Sequence, residues 1–154
     1  MWSRGIDTPI GTLGLVASER GLTRVRWSAK GLPDDSSPLL DEAAAQLEAY
    51  FAGGLTSFEL PLDLEATDFQ RRCWLALATI PYGRTVSYGE QAHRLGLGPD
   101  AARAVGAANG QNPVPVILPC HRVIGANGSL TGFGGGLELK RFLLEHEGAL
   151  LALG

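Results

Sequence analysis

The chain has 154 residues, 45% of them apolar, and a net charge of −3. That length suits one ordinary domain or two small ones with a core that needs no disulfide, no apolar run is long enough to span a bilayer, and the acidic balance speaks mildly against a nucleic-acid partner. The charge is uneven: residues 1–66 carry five basic and ten acidic side chains, residues 67–154 eight basic and six acidic. A polyanion can therefore approach the second half better than the first. The start, Met1 to Asp7, lacks the apolar core of a secretory signal, so an intracellular, cytoplasmic protein is expected. Cys73 and Cys120 are expected to be free thiols in a reducing compartment. No Cys/His set has metal-ligand spacing, so neither a metal nor another cofactor is expected.

Residues 12–18 and 22–27 both alternate across Glu19-Arg20-Gly21, which predicts a β-hairpin. Residues 30–38 are turn-rich. Leu40, Ala43, Ala44, Leu47, Tyr50 and Phe51 fall at helical spacing and are stopped by Gly53-Gly54, predicting a helix over 39–52. Residues 58–64 alternate around Pro61 and predict an edge strand. No catalytic constellation stands out in this block.

Thr67-Asp68-Phe69-Gln70 has capping-box spacing and opens a helix to about Thr79, with Phe69, Cys73, Trp74, Leu77 and Ile80 on one side. Cys73 is therefore read as core. Ser87-Tyr88-Gly89-Glu90 is a second capping box, opening a helix over 88–95 with Ala92 and Leu95 inward. A turn at Gly96-Leu97-Gly98 and a small-residue helix from Ala101 to about Asn109 complete the outline of a helix-turn-helix. Its second helix offers Arg103 but few other base readers, which suits close packing on a groove better than direct readout. Residues 131–136 form a glycine-rich loop. Leu139, Phe142, Leu143 and His146 predict a last helix over 137–147, with Lys140 and Arg141 on its solvated face.

Between these elements an apolar, proline-punctuated approach, residues 112–118, leads to Pro119-Cys120-His121-Arg122-Val123-Ile124. A thiol is a nucleophile only as thiolate, so Cys120 needs a base or a positive field. His121 is adjacent, but neighbours in an extended chain point apart, so a turn or an intervening water must link them. Glu145 and Glu147 are both candidates to orient the imidazole. Arg122 is either a source of positive potential or a structural donor.

The run Asn112 to Ile124 closely resembles the active-site motif of the O6-alkylguanine-DNA alkyltransferases. Tyr82-Gly83-x-x-x-Ser87-Tyr88 and Ala101-Ala102-Arg103-Ala104-Val105-Gly106 resemble that family's turn and DNA-binding helix. Phe133-x-Gly135-Gly136-x-x-x-Lys140-x-x-Leu143-Leu144-x-x-Glu147 resembles its substrate loop and last helix. The likeness is specific from about Thr67 to Gly148 and looser over residues 1–66, where Thr8 to Leu13 carries it.

The resemblance implies a DNA repair protein in which Cys120 takes the alkyl group from O6 of guanine. His121 would accept the thiol proton through a water and Glu147 would orient it. Asn112 would hold the turn beneath the site, and Tyr88 would donate to the guanine ring. Val123, Gly134 and Phe133 would line the guanine pocket. Arg103 would fill the gap left by the flipped nucleotide, on a minor-groove helix whose Ala102, Ala104 and Gly106 allow close approach; Arg122 is added as a DNA contact. Phe133 stands where many relatives carry Tyr, and Gly134 where some carry Ser, so substrate range is affected rather than chemistry.

The expected fold is α+β: an α/β scaffold domain of hairpin and helix over 1–66, then a mainly helical domain with a helix-turn-helix over 67–154. The expected partner is double-stranded DNA carrying O6-alkylguanine, with no membrane, and the protein is expected to be a monomer. Two other classes are a lesion sensor or helix-turn-helix regulator without transfer, and a thiol hydrolase or acyltransferase that would turn over activated esters.

Overall fold

The computed structural model of the chain describes residues 1–149. They fall into two compact units that divide between Glu65 and Ala66.

The first unit is a three-stranded antiparallel sheet in the order β1 (Trp2–Thr8), β2 (Gly11–Ala17), β3 (Leu22–Arg26). The expected hairpin is β2–β3. Strand β1 is not visible as a pattern, because Ile6 is its one buried apolar residue. The backbone ladder builds it instead, with pairs running from Trp2↔Ala17 to Thr8↔Gly11. Helix α1 (Pro38–Phe51) starts where Ser37 accepts a hydrogen bond from the Leu40 amide and Pro38 presets the first turn. It buries Leu40, Ala43, Ala44, Leu47 and Tyr50 and packs on the sheet. Gly53, at φ 84°, ends it.

The expected strand over 58–64 does not form. Leu22 pairs with this segment at a single bridge to Leu62, flanked by Leu22 N to Pro61 O (2.8 Å) and Asp63 N to Leu22 O (2.9 Å). Pro61 has no N–H to extend the ladder.

In the second unit both capping boxes are present, Thr67 with Gln70 at the start of α2 (Asp68–Leu77) and Ser87 with Glu90 at the start of α3 (Tyr88–Arg94). Cys73, Trp74 and Leu77 are buried, as the spacing predicts. Leu95 is only half-buried, because α3 has ended and the chain turns there. Pro99–Ala101 forms a short 3-10 turn, and α4 runs Ala102–Gly110. A two-residue parallel pair then joins β4 (Val86–Ser87) to β5 (Val123–Ile124), tying the segment after Cys120 to the N-terminus of α3. Helix α5 (Leu137–His146) follows the glycine-rich loop.

Lys140 differs from expectation. It lies on the Leu143/Leu144 side of α5 and is fully buried. Its signal was its spacing: residues three and four apart on a helix share a face.

Candidate active site

Residues 114–118 curl back on themselves, with Leu118 N bonded to Val114 O at 2.9 Å and Val116 at φ 73°. A β-branched residue in the left-handed region is strained by about 1–3 kcal/mol and needs outside support. Asn112 supplies it: its Oδ1 accepts from Val114 N (3.0 Å) and its Nδ2 donates to Leu118 O (2.8 Å). One amide side chain thus closes both ends of the loop that delivers Cys120.

Cys120–Arg122 forms a 3-10 turn. The turn separates adjacent side chains differently from a strand: Cys120 stays partly exposed while His121 is fully buried. The His121 Nε2 lies 2.7 Å from Glu147 Oε2. Its Nδ1 has no hydrogen-bond partner among the described residues.

Glu147 caps the C-terminal end of α5 and also takes Arg122 in a two-point grip, Nε to Oε1 at 2.8 Å and Nη2 to Oε2 at 3.0 Å. Arg122 Nη1 donates to Ile80 O at 2.6 Å, and the guanidinium lies 5.8 Å from the centre of the Tyr82 ring. The expectation of Arg122 as a DNA contact is therefore corrected. It is buried, and its nitrogens are engaged within the protein.

Burial alone would raise the Glu147 carboxyl. The hydrogen bonds and charges of His121 and Arg122 outweigh burial and hold it down at about 2. Glu147 is thus an ionised acceptor, so the neutral imidazole keeps its proton on Nε2 and presents a lone pair at Nδ1. Burial pushes the His121 imidazole below its ordinary value, against the pull of Glu147, which favours that neutral form. Burial also raises the Cys120 thiol, against the lowering effects of Asn112 and the Lys140 charge. The resting thiol is therefore protonated and needs a base.

Lys140 is not among the expected site residues, yet it ties the segment after Cys120 to the glycine-rich loop. Its Nζ donates to Val123 O and to Thr131 O, both at 2.7 Å. Thr131 O also accepts from the Tyr88 hydroxyl at 3.1 Å, and the Lys140 Nζ lies 5.9 Å from the Tyr88 ring centre. Burial brings the Lys140 ammonium down to about 8, and negative charge on Cys120, when that thiol ionises, opposes the shift. Lysine and tyrosine together pin the start of the loop that holds Phe133, half-buried, and Gly134, exposed. Lys140→Met is expected to leave the Val123 and Thr131 carbonyls without this donor. Hydrogen exchange should then show lost protection over 130–136, with α1 and the β-sheet unchanged; unaltered protection would contradict the clamp.

On α4, Arg103, Ala104 and Ala107 are exposed, while Ala102 and Gly106 are half-buried. A Cβ built on Gly106 would lie 3.6 Å from Tyr88 Cδ1 and Cε1, so the Tyr88 ring lies against bare backbone of α4. No helix of the described residues is long and apolar enough to cross a membrane.

Fold and site together define a class: a free, partly exposed thiol next in sequence to a buried histidine–carboxylate pair, in a unit that carries a helix-turn-helix. The chain belongs to the 6-O-methylguanine DNA methyltransferase family, its residues 2–64 matching the ribonuclease-like domain and residues 68–149 the DNA binding domain. It is 53% identical over 152 residues to the methylated-DNA–protein-cysteine methyltransferase of Mycobacterium tuberculosis, covering 94% of this chain and 90% of that one. It is 50% identical over 151 residues to the protein of the same name from Methanosarcina acetivorans, covering 93% of this chain and 96% of that one. A crystal structure of Mycobacterium tuberculosis OGT in complex with DNA superposes with a TM-score of 0.88 at 52% identity, covering 97% of this chain and 94% of that one.

Proposed function

We propose that this protein repairs DNA by moving an alkyl group, methyl above all, from O6 of guanine in duplex DNA onto the sulfur of its own Cys120. The observation that carries the reading is the pairing of His121 Nε2 with Glu147, which leaves Nδ1, buried and without a hydrogen-bond partner among the described residues, as the imidazole's acceptor one residue from Cys120. The Cys120 proton passes through one water to Nδ1, and Glu147 balances the imidazolium that forms. The thiolate attacks the alkyl carbon, a C–S bond forms, and the C–O6 bond breaks with its electron pair going to the guanine. Tyr88 releases Thr131 O and donates its proton toward the leaving ring, neutralising that charge. The product is a thioether with no carbonyl for water to attack, so each molecule acts once.

The target atom is inside the duplex, so the nucleotide is flipped out at a cost of a few kcal/mol. Arg103, exposed on α4 between small residues, enters the vacated space, with Ala102, Ala104 and Gly106 letting the helix approach the minor groove. Weak base readout suits a lesion that arises in any sequence. Residues 67–154 carry transfer and DNA binding, and residues 1–66 are the scaffold. The protein works as a monomer in the cytoplasm, with double-stranded DNA as its partner. The names of its relatives support the same reaction.

A duplex carrying one radiolabelled O6-methylguanine tests this. Label should enter the protein up to one equivalent and stop; continued turnover would overturn the reading. Arg103→Ala should slow transfer from duplex by roughly ten- to a hundredfold, the rate equivalent of a few kcal/mol of flipping energy. Transfer from free O6-methylguanine base should hardly change. Equal losses on both substrates would remove Arg103 from flipping.

A further inference from the structure

Along the seam where the two helices of the helix-turn-helix meet, two side-chain contacts lie one turn apart on each helix. At one end the Tyr88 ring lies on Gly106. At the other, Gln91 and Asn109 form a reciprocal amide pair: Gln91 Nε2 donates to Asn109 Oδ1 at 3.1 Å, and Asn109 Nδ2 donates to Gln91 Oε1 at 2.7 Å. Gln91 Nε2 also donates to Cys73 O of α2 at 3.2 Å. Gln91 is 1% exposed and Asn109 6%. Neither is used in the chemistry proposed above.

A buried amide pair is a poor way to gain stability, since replacing both partners with apolar groups is nearly neutral. Its distinctive property is direction. Apolar faces slide and rotate against each other, whereas two reciprocal bonds admit one arrangement, as polar core residues do when they set register. Trp74 Nε1 also ties α2 to α4, at Ala108 O (2.7 Å), but one bond leaves rotation about it free. The amide pair removes that freedom. The seam joins two parts of the site, since α4 presents Arg103 outward and α3 begins with Tyr88. A rotation of about 10° at a helix radius of about 6 Å moves a side-chain tip by about 1 Å, and a misplacement of that size costs up to about a hundredfold in rate.

We propose that Gln91 and Asn109 are positioning residues that lock the rotation of α4 against α3, so that the base displaced by Arg103 arrives where Tyr88 and Cys120 can use it. The inference rests on the alkyltransferase reading. It makes the pair a determinant of transfer from duplex, separate from the reactivity of the thiol and from the stability of the fold.

The test is the variant Gln91→Leu/Asn109→Leu, compared with wild type in three measurements. These are the thermal midpoint, alkylation of Cys120 by iodoacetamide read by peptide mapping, and single-turnover methyl transfer from an O6-methylguanine duplex. Iodoacetamide reports the thiol without any delivered base. The expected result is an unchanged midpoint, an unchanged iodoacetamide rate and a loss of roughly tenfold or more in duplex transfer. Should the leucine pair not fold at the assay temperature, Gln91→Met alone takes its place; Met matches Gln in shape, and the same split of rates is expected. Wild-type duplex transfer by a folded variant would overturn this inference alone, as would equal losses on iodoacetamide and duplex. A wild-type protein that takes no methyl from the duplex would overturn both this inference and the reading beneath it.

Discussion

Cys120→Ser is expected to abolish methyl transfer while leaving affinity for an O6-methylguanine duplex within about twofold. Sulfur and oxygen differ little in size here, and the side chain sits in a turn fixed by backbone bonds, Cys120 N to Leu118 O (2.8 Å) and Arg122 N to Pro119 O (3.0 Å). The reactivity changes far more. Burial already raises the Cys120 thiol, so its proton leaves only toward a base. An alcohol is a much weaker acid, and a neutral imidazole cannot supply a usable alkoxide for displacement at carbon. Arg103 and the exposed face of α4 are untouched by the change. Fluorescence anisotropy and a transfer assay on one preparation check both halves. Residual transfer would show that Cys120 is not the acceptor, and lost binding would show that the thiol shapes the DNA surface.

Glu147→Gln is expected to damage both stability and rate. One carboxylate serves His121 and Arg122 together, and all three side chains are buried. Removing its charge leaves the Arg122 guanidinium uncompensated, at a cost of about 3–5 kcal/mol. The amide also has an NH2 that can donate to Nε2, which would move the imidazole proton to Nδ1 and leave no acceptor there for the thiol proton. A loss of roughly 10²–10⁴-fold in transfer follows from removing the base. Urea unfolding and single-turnover kinetics check the two effects. A variant as stable as wild type would contradict the buried ion pair, and an unchanged rate would remove His121 as base.

The same carboxylate sets the acid limit of the fold. Its value is depressed from 4.5 to about 2, so its stabilising contribution is complete above about pH 4.5 and is lost as pH falls toward 2. The shift corresponds to about 3 kcal/mol. His121 acts in the same direction: burial lowers its value, so the unfolded chain takes up a proton first and stability falls as pH drops below the ordinary histidine range. Wild type should therefore lose stability in two stages on acidification. Glu147→Gln should lack the lower stage, and urea midpoints from pH 7 to 3 would show whether it does.

Much of this was legible along the chain, wherever local chemistry decides. The Thr67 and Ser87 caps and the glycine stop after α1 are short-range devices, and they form as their spacing predicts. Strand β1 was illegible because a backbone ladder makes it, not a pattern of apolar side chains. The alternation over 58–64 makes only one bridge, because Pro61 interrupts it. At the site, the residues that meet across the fold were the hard ones. Nothing local separates Glu145 from Glu147 as partners of His121, and the resemblance to a family carried that choice. Lys140 reads as a charge for solvent, and Arg122 as a DNA contact or a structural donor with nothing local to decide between them, because buried cations are rare and their partners, Val123 O, Thr131 O and Glu147, lie 9 to 25 residues away. Gln91 and Asn109 lie 18 apart and carry no local signal at all.

The most direct test of the central claim is intact mass after mixing the protein with excess duplex bearing one O6-methylguanine, followed by peptide mapping. The account predicts one added methyl per molecule, located on Cys120, with no further increase. An unmodified protein that still holds the duplex would contradict it and make this a lesion-binding protein with an inert thiol.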